Sequence, residues 1–327
     1  MLTKNKMSIL FGILTIILCI ISLSIGGADI SYDDITNLIL GKEIDEIKQA
    51  ILLELRLPRL VMAILIGMLL ASSGVVVQSV FLNPLADPYI IGIAASATFG
   101  AVIAYLLKLP DIYYGVFAFF SSAVLSLVIF KLSKRGKSIA TLLIIGIAFS
   151  SFLGAFTSFA TYLIGEDSFR IVAWMMGHLS GATWQRIAYI VAPLALSMTY
   201  FYMKRFELNV ILSGDEEAQS LGVDVEKTKK YLLIVSSLAV GFSVAFTGMI
   251  GFVGLIIPHT LRMILRTSSN VVLIPVSAFA GGFFLLACDT IGKSVLNPVE
   301  IPIGVVTAFF GAPFFLFLAI KSRQGIV

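Results

Sequence analysis

Apolar residues in this chain gather in long unbroken runs rather than alternating with polar ones, and short polar or Pro-rich joints separate the runs. A helix needs roughly 20 apolar residues to cross the hydrocarbon of a bilayer, so runs of that order read as spanning helices where alternation would read as barrel strands. The first run is Met7 to Ile25. A second follows Arg56-Leu57-Pro58-Arg59 to about Phe81, and a third leads to Leu107. The fourth ends at the basic stretch Lys131 to Lys137, the fifth covers about Ile139 to Ile164, and the sixth leads to Lys204. The seventh begins at Tyr231, the eighth carries Pro258-His259, and the ninth ends near Asp289. The tenth starts at Glu300-Ile301-Pro302 and stops before Lys321. The pattern predicts an all-α polytopic membrane protein of about ten transmembrane helices, with residues 1–327 forming a single transmembrane domain.

The polar joints orient the bundle. Lys4 and Lys6 precede the first run, which exceeds the ~7–15-residue core of a signal peptide and lacks a small-x-small cleavage site, so it reads as a retained span. The basic flank places the N-terminus in the cytoplasm, and ten crossings bring the C-terminus back to that side of the cytoplasmic membrane. Asp29 to Glu54 is mostly acidic and carries Ile35, Leu38, Ile39, Ile44 and Ile47 at spacings that suit short helices on the outer surface. Glu166 to Arg186, with Trp174 and Trp184, reads as an external segment with aromatic residues at the interface. Composition agrees: 58% of residues are hydrophobic and 13% charged, too few charges to cover a soluble domain of this length. The formal charge of +4 says nothing of nucleic acid.

Between Lys204 and Lys230 the chain stays polar for far longer than a joint between two spans requires. Ser213 and Asp215 are candidate caps of a short helix, Glu216 and Glu217 suit its first turn, and Gly222 can end it after Leu221. Ala218 and Leu221 would share one face. The segment reads either as a docking element or as a solvated amphipathic loop.

Gly67, Ala71, Gly74 and Pro84 recur at one constant displacement as Gly241, Ala245, Gly248 and Pro258, with Ser73 matched by Thr247. The second and seventh spans run in opposite directions, so the match predicts inverted-repeat halves of the kind that transporters rock about a midplane site. The other reading is ordinary small-residue packing.

Chemistry is sparse. Gly136-Lys137-Ser138 and Gly292-Lys293-Ser294 resemble the end of a phosphate-binding loop, but Lys131 and Ala287 stand where its first glycine belongs. His178 and His259 have no carboxylate at metal-ligand spacing, there is no Gly-x-Ser-x-Gly elbow, and Cys19 and Cys288 lie inside apolar runs. The expectation is no catalytic residue, no metal and no cofactor in this chain. The span centres hold essentially no charge, which argues against a carboxylate-based ion-coupled carrier.

Several stretches in order resemble the FecCD-type permeases of ATP-binding-cassette importers for ferric siderophores, haem and cobalamin. They are Arg56-Leu57-Pro58-Arg59, Gly74 with Gln78, Asn83-Pro84-Leu85-Ala86-Asp87-Pro88, Trp174-Met175-Met176-Gly177, Gly214-Asp215 with Ala218 and Leu221-Gly222-Val223, Gly248 to Gly254 leading to Pro258-His259 and Arg262, and Glu300-Ile301-Pro302 to Gly311-Ala312-Pro313-Phe314-Phe315. The resemblance implies a transport subunit and not an enzyme. It would pair with a second copy of itself, two cytoplasmic ATPase subunits that bind ATP and Mg, and an extracytoplasmic substrate-binding protein.

The resemblance also implies roles. Residues 205–230 would be the coupling segment, with Gly214, Asp215, Ala218, Leu221, Gly222 and Val223 seated in a cleft of the ATPase. Arg56 and Arg59 would pair with carboxylates of the binding protein, and Lys293, where family members often carry Arg, would be a third contact. Ser138, Thr141, Ser150, Ser151, Thr157 and Ser158 in and beside the fifth span would line the path, or serve helix packing. The cargo would be an iron complex, with haem and cobalamin as alternatives; other readings are a stand-alone secondary transporter and a membrane scaffold.

Overall fold

The computed structural model describes residues 4–110, 112–133 and 139–323. Its helices are α1 (Lys4–Ser24), α2 (Tyr32–Ile39), α3 (Glu46–Ala50), α4 (Leu57–Val80), α5 (Ile93–Leu106), α6 (Ile112–Ser133), α7 (Ile139–Ile164), α8 (Phe169–Met175), α9 (Trp184–Met203), α10 (Arg205–Ile211), α11 (Asp215–Ser220), α12 (Val225–Thr247), α13 (Val253–Leu265), α14 (Asn270–Ser294) and α15 (Ile303–Arg323). Among the described residues six helices are long and apolar enough to cross a membrane; α9 with α10, bent by 53°, makes a seventh, and α5, α13 and the apolar part of α15 are shorter apolar helices. Together they account for the ten expected spans.

The short ones are short for local reasons. Asp87 caps a 3-10 turn over Pro88–Ile91, and Gly92 at φ +83° turns the chain into α5. Between α12 and α13 residues 248–252 are not helical. Non-helical backbone inside a membrane bundle is tolerated only where other protein groups satisfy it. Here the His178 N–H donates to the Thr247 carbonyl at 2.7 Å, and those of Ile303 and Gly304 donate to Gly177 and Met176 at 3.2 and 3.1 Å. The loop after α8, the end of α12 and the start of α15 thus close on one another.

Helix α4 is the axis of the bundle, buried at nearly every position from Leu60 to Val80. It lies against α14 and α13 at glycines: a Cβ on Gly67 would lie 2.2 Å from the Gly281 carbonyl oxygen and one on Gly74 1.9 Å from that of Gly254, so the backbones touch where any side chain would part them. The second span starts earlier than expected. Helix runs without a break from Glu46 to Val80, passing Arg56-Leu57-Pro58-Arg59 through a π-turn at Ile51–Arg56. Pro58 has no N–H and its ring crowds the carbonyl four residues back; the wider turn absorbs both effects. Ile30, Ile35 and Leu52 pack together beneath α2 and this turn, whereas Ile39 and Ile47 of the same segment are exposed.

The packing has two halves. Helix α4 contacts α14, α13 and α12, while α12 contacts α6, α5 and α4; α5 packs on α6 and α7 as α13 packs on α14 and α15. Exchanging α4–α7 for α12–α15 maps one set onto the other, and α9 touches both α4 and α12. Five crossings separate α4 from α12, so the halves are inverted with respect to the membrane. The residue match holds in part. Ala71 meets Gly281 of α14, and its counterpart Ala245 meets Gly115 of α6, each at a glycine that admits the close approach. The equivalence ends after Ser73 and Thr247: Gly74 lies within α4, whereas Gly248 ends α12 at φ +68°, and Pro84 is in a loop where Pro258 is inside α13.

Candidate functional site

The segment from Arg205 to Val225 is a folded element rather than a loose loop. Helix α10 leads to Gly214, whose φ of +113° is one that only glycine adopts readily, and Gly222 at φ +86° closes α11. A Cβ at either glycine would meet nothing within 4 Å, so backbone conformation and not space requires them. The Val223 N–H donates to the Ala218 carbonyl at 3.0 Å and that of Gly222 to Gln219 at 2.9 Å, completing the C-terminal cap.

Two expectations are corrected here. Neither Ser213 nor Asp215 caps α11: Gly214 is the N-cap, and the Asp215 carboxylate takes the Lys229 ammonium at 2.6 Å, pinning α11 to the start of α12. Ala218 and Leu221 do not share a face. Ala218 is 0% exposed, packed with Ile211 and Val225, whereas Leu221 is 65% exposed because it lies just past the last turn, where the chain reverses. Glu216, Glu217 and Leu221 are thus presented outward on a base anchored by Ala218.

At the opposite end the three expected docking cations are already engaged inside the chain. Arg56 is buried and donates to the Leu23 and Ala28 carbonyls, tying the end of α1 to the π-turn. The Arg59 guanidinium spans two carboxylates, with Nη2 2.9 Å from Asp289 and Nη1 2.8 Å from Glu300. Lys293 completes the set, 3.2 Å from the other Asp289 oxygen and donating to Ser22 at 3.0 Å. Asp289 is only 1% exposed, enclosed by both cations, whereas Glu300 is 43% exposed. Each of the three cations that the resemblance assigns to docking thus has a partner within the chain. The network was missed at the sequence level although Asp289 and Lys293 stand at i and i+4 on one helix, a spacing that brings side chains together.

Beside this network lies a cavity of about 900 Å³, walled by Phe119, Phe242 and Trp174 and by the cations Arg170 and Arg186. No ion pair among the described residues engages Arg170 or Arg186. Burial, with Arg186 and Arg59 nearby, holds the His178 imidazole below its usual range, so it stays neutral. Trp174 is buried rather than interfacial, while the exposed Trp184 donates to the Leu53 carbonyl at 2.9 Å.

The candidate path residues divide. On α7, Ser151 and Ser158 lie two turns apart on the exposed face with Ile144, Phe152 and Phe159. Ser150 returns its hydroxyl to the Gly146 carbonyl at 2.8 Å, Thr157 is buried, and Thr141 is half-buried. Ser138 lies outside the described residues. His259, expected to pack or join a polar network, is buried with its ring edge-on to Phe314 at 6.2 Å.

Ten apolar helices in two inverted halves, with a folded polar element between α9 and α12, are the arrangement of a membrane transporter. The FecCD transport family matches residues 14–321. This chain belongs to that family. It is 40% identical over 286 residues to the cobalamin import system permease protein BtuC of Halobacterium salinarum, spanning 86% of this chain and 76% of that one. It is 33% identical to the molybdate import system permease protein MolB of Haemophilus influenzae over 97% of this chain and 96% of that one. A metal-chelate type ABC transporter solved in an inward-facing conformation superposes with a TM-score of 0.87 at 32% identity, covering 97% of this chain and 99% of that one. The FecCD chain described here is therefore a multi-pass permease of the ABC-importer kind, a transport subunit and not an enzyme.

Proposed function

We propose that this permease works as a homodimer, carrying a bulky metal chelate across the cytoplasmic membrane, and that a ferric siderophore is the cargo. The likeness to the metal-chelate type transporter over nearly the full length of both chains supports the cargo class. Work enters through residues 205–230: an ATPase cleft receives Leu221 and the acidic turn of α11, and because Ala218 and the Asp215–Lys229 pair fasten α11 to α12, force on the exposed tip is delivered to a helix packed on α4 and α6. That fastening is the observation that carries the reading, since a solvated loop has no need of it.

On the outer side a substrate-binding protein presents carboxylates to Arg59, displacing the exposed Glu300, while Arg56 and Lys293 hold the platform in place. The faces of α7 bearing Ser151 and Ser158 line the path between the two copies, and Thr141, Ser150 and Thr157 support it from behind. Cobalamin is the second reading, favoured by the 40% identity to a cobalamin permease.

The test is uptake into proteoliposomes containing the permease, its ATPase and its binding protein, with radiolabelled ferric siderophore and cobalamin in competition. Siderophore uptake undiminished by excess cobalamin supports the reading; uptake of cobalamin alone replaces the cargo.

A further inference from the structure

On the face of the bundle that carries the coupling segment, a cavity of about 640 Å³ opens between the end of α13, the loop after α4 and the residues leading into α11. Gln78, Asn83, Ser213, His259, Arg262 and Arg266 supply its polar walls, and no carboxylate lines it. None of the ion pairs among the described residues includes Arg262 or Arg266. The Gln78 amide nitrogen is fixed on the Gly254 and Leu255 carbonyls at 3.3 Å each, which aims its oxygen at the Arg262 guanidinium and holds that cation in position. His259 is only 4% exposed; the Pro84 carbonyl serves one ring nitrogen, and the other has no partner.

A half-buried guanidinium without a counter-charge, such as Arg262, is costly, and so is a buried imidazole nitrogen left unpaired. Both costs fall if an anion enters. Two arginine forks, an imidazole and the neutral donors of Asn83 and Ser213 exceed what the two oxygens of one carboxylate accept, whereas a tetrahedral oxyanion offers acceptors in several directions. Exposed Leu82 and Met263 give the same cavity an apolar lip.

We propose that this cavity binds phosphate, either as the headgroup of an anionic phospholipid or as the free ion. Gly214 and Ser213 form part of the wall, so a bound phosphate ties the end of α13 to the hinge of α11. On the importer reading above, lipid or phosphate supply then tunes how stiffly the coupling segment moves; the binding itself does not depend on that reading.

The purified full-length permease tests this without any partner. Native mass spectrometry from mixed phosphatidylglycerol and phosphatidylcholine micelles reads lipid retention, and a thermal shift with inorganic phosphate reads the free ion. Wild type is expected to retain phosphatidylglycerol over phosphatidylcholine, or to be stabilised by phosphate, or both, and the arm that responds names the source. Arg262→Gln with Arg266→Gln is expected to weaken the response about tenfold, the loss of charge-assisted forks, and Arg266→Gln alone, at an exposed side chain that the fold does not need, about threefold. Arg170→Gln with Arg186→Gln on the outer side should leave it unchanged. The proposal is overturned if wild type responds to neither probe, or if Arg266→Gln and the double variant both respond as wild type.

Discussion

Arg59 and Glu300 face each other through two hydrogen bonds, Nη1 lying 2.9 and 2.8 Å from the two oxygens of one carboxylate. The same guanidinium reaches the buried Asp289, so the outer ends of α4 and α14 and the lead into α15 meet on one side chain. An exposed and a buried carboxylate on one cation are not equivalent. Glu300 can leave into water at little cost, whereas Asp289 cannot.

Arg59→Gln should therefore destabilise the subunit by about 3 kcal/mol, the scale for breaking a buried pair from one side. Glu300→Gln should change stability by less than about 1 kcal/mol, because its carboxylate is largely solvated. Adding Asp289→Asn to Arg59→Gln should recover part of the loss. Unfolding monitored in detergent checks the order; equal effects of Arg59→Gln and Glu300→Gln would show the network to be superficial.

At the coupling segment, substitution inside and outside the anchor should separate. Ala218→Asp places a charge against Ile211 and Val225 and should unfold α11, seen as protease cleavage near Gly214. Leu221→Asp should leave stability within about 0.5 kcal/mol, as for other surface changes, while reducing ATPase co-purification. Retained co-purification with Leu221→Asp would remove the exposed tip from the interface.

Gly67 and Gly281 touch backbone to backbone, so Gly67→Val cannot be accommodated by rotamer adjustment. The expected outcome is loss of folded protein, read as a missing monodisperse peak on size exclusion. Gly12→Val, on α1 with nothing within 4 Å of the added Cβ, should express normally and serves as the control.

Much of this arrangement was legible from residue order. The apolar runs located all ten spans because lipid demands a stretch of near-fixed length, and the displaced match of Ala71 with Ala245 pointed to the two halves that the packing displays. What could not be read was who stands opposite whom. The partners of Arg56, Arg59 and Lys293 within the chain stay hidden because a sequence reveals a charge and not its partner, and Asp289, Glu300 and the backbone carbonyls of Leu23 and Ala28 lie far from some of them along the chain. Leu221 and Ala218 parted for a different reason: a three-residue spacing predicts a shared face only while the helix continues, and α11 ends at Ser220.

The outer helix α2 carries a pH dependence. Its capping box, in which Ser31 and Asp34 exchange hydrogen bonds, is joined by Lys48 at 2.7 Å from Asp34, and the hydrogen bond from Lys48 with those from Ser31 lowers the Asp34 carboxyl to about 2. A carboxylate lowered in the folded state contributes stability that is complete above its unfolded value of 3.8 and is lost as pH falls through about 2. Hydrogen exchange of residues 31–48 should thus be flat from neutral pH to about 4 and rise below it, after correction for intrinsic rates. Asp34→Asn should raise exchange above about pH 4 to the level wild type approaches in acid, and abolish that dependence.

The account turns on one claim, that this subunit does no work of its own and receives it through the Leu221 tip. The direct measurement is substrate accumulation in proteoliposomes reconstituted with the permease, with and without ATPase subunits and ATP, in wild type and Leu221→Asp. The account predicts uphill accumulation only with ATPase and ATP present, and its loss in Leu221→Asp while the variant remains folded. Accumulation driven by an ion gradient with no ATPase present, or undiminished ATP-driven uptake in Leu221→Asp, would contradict it.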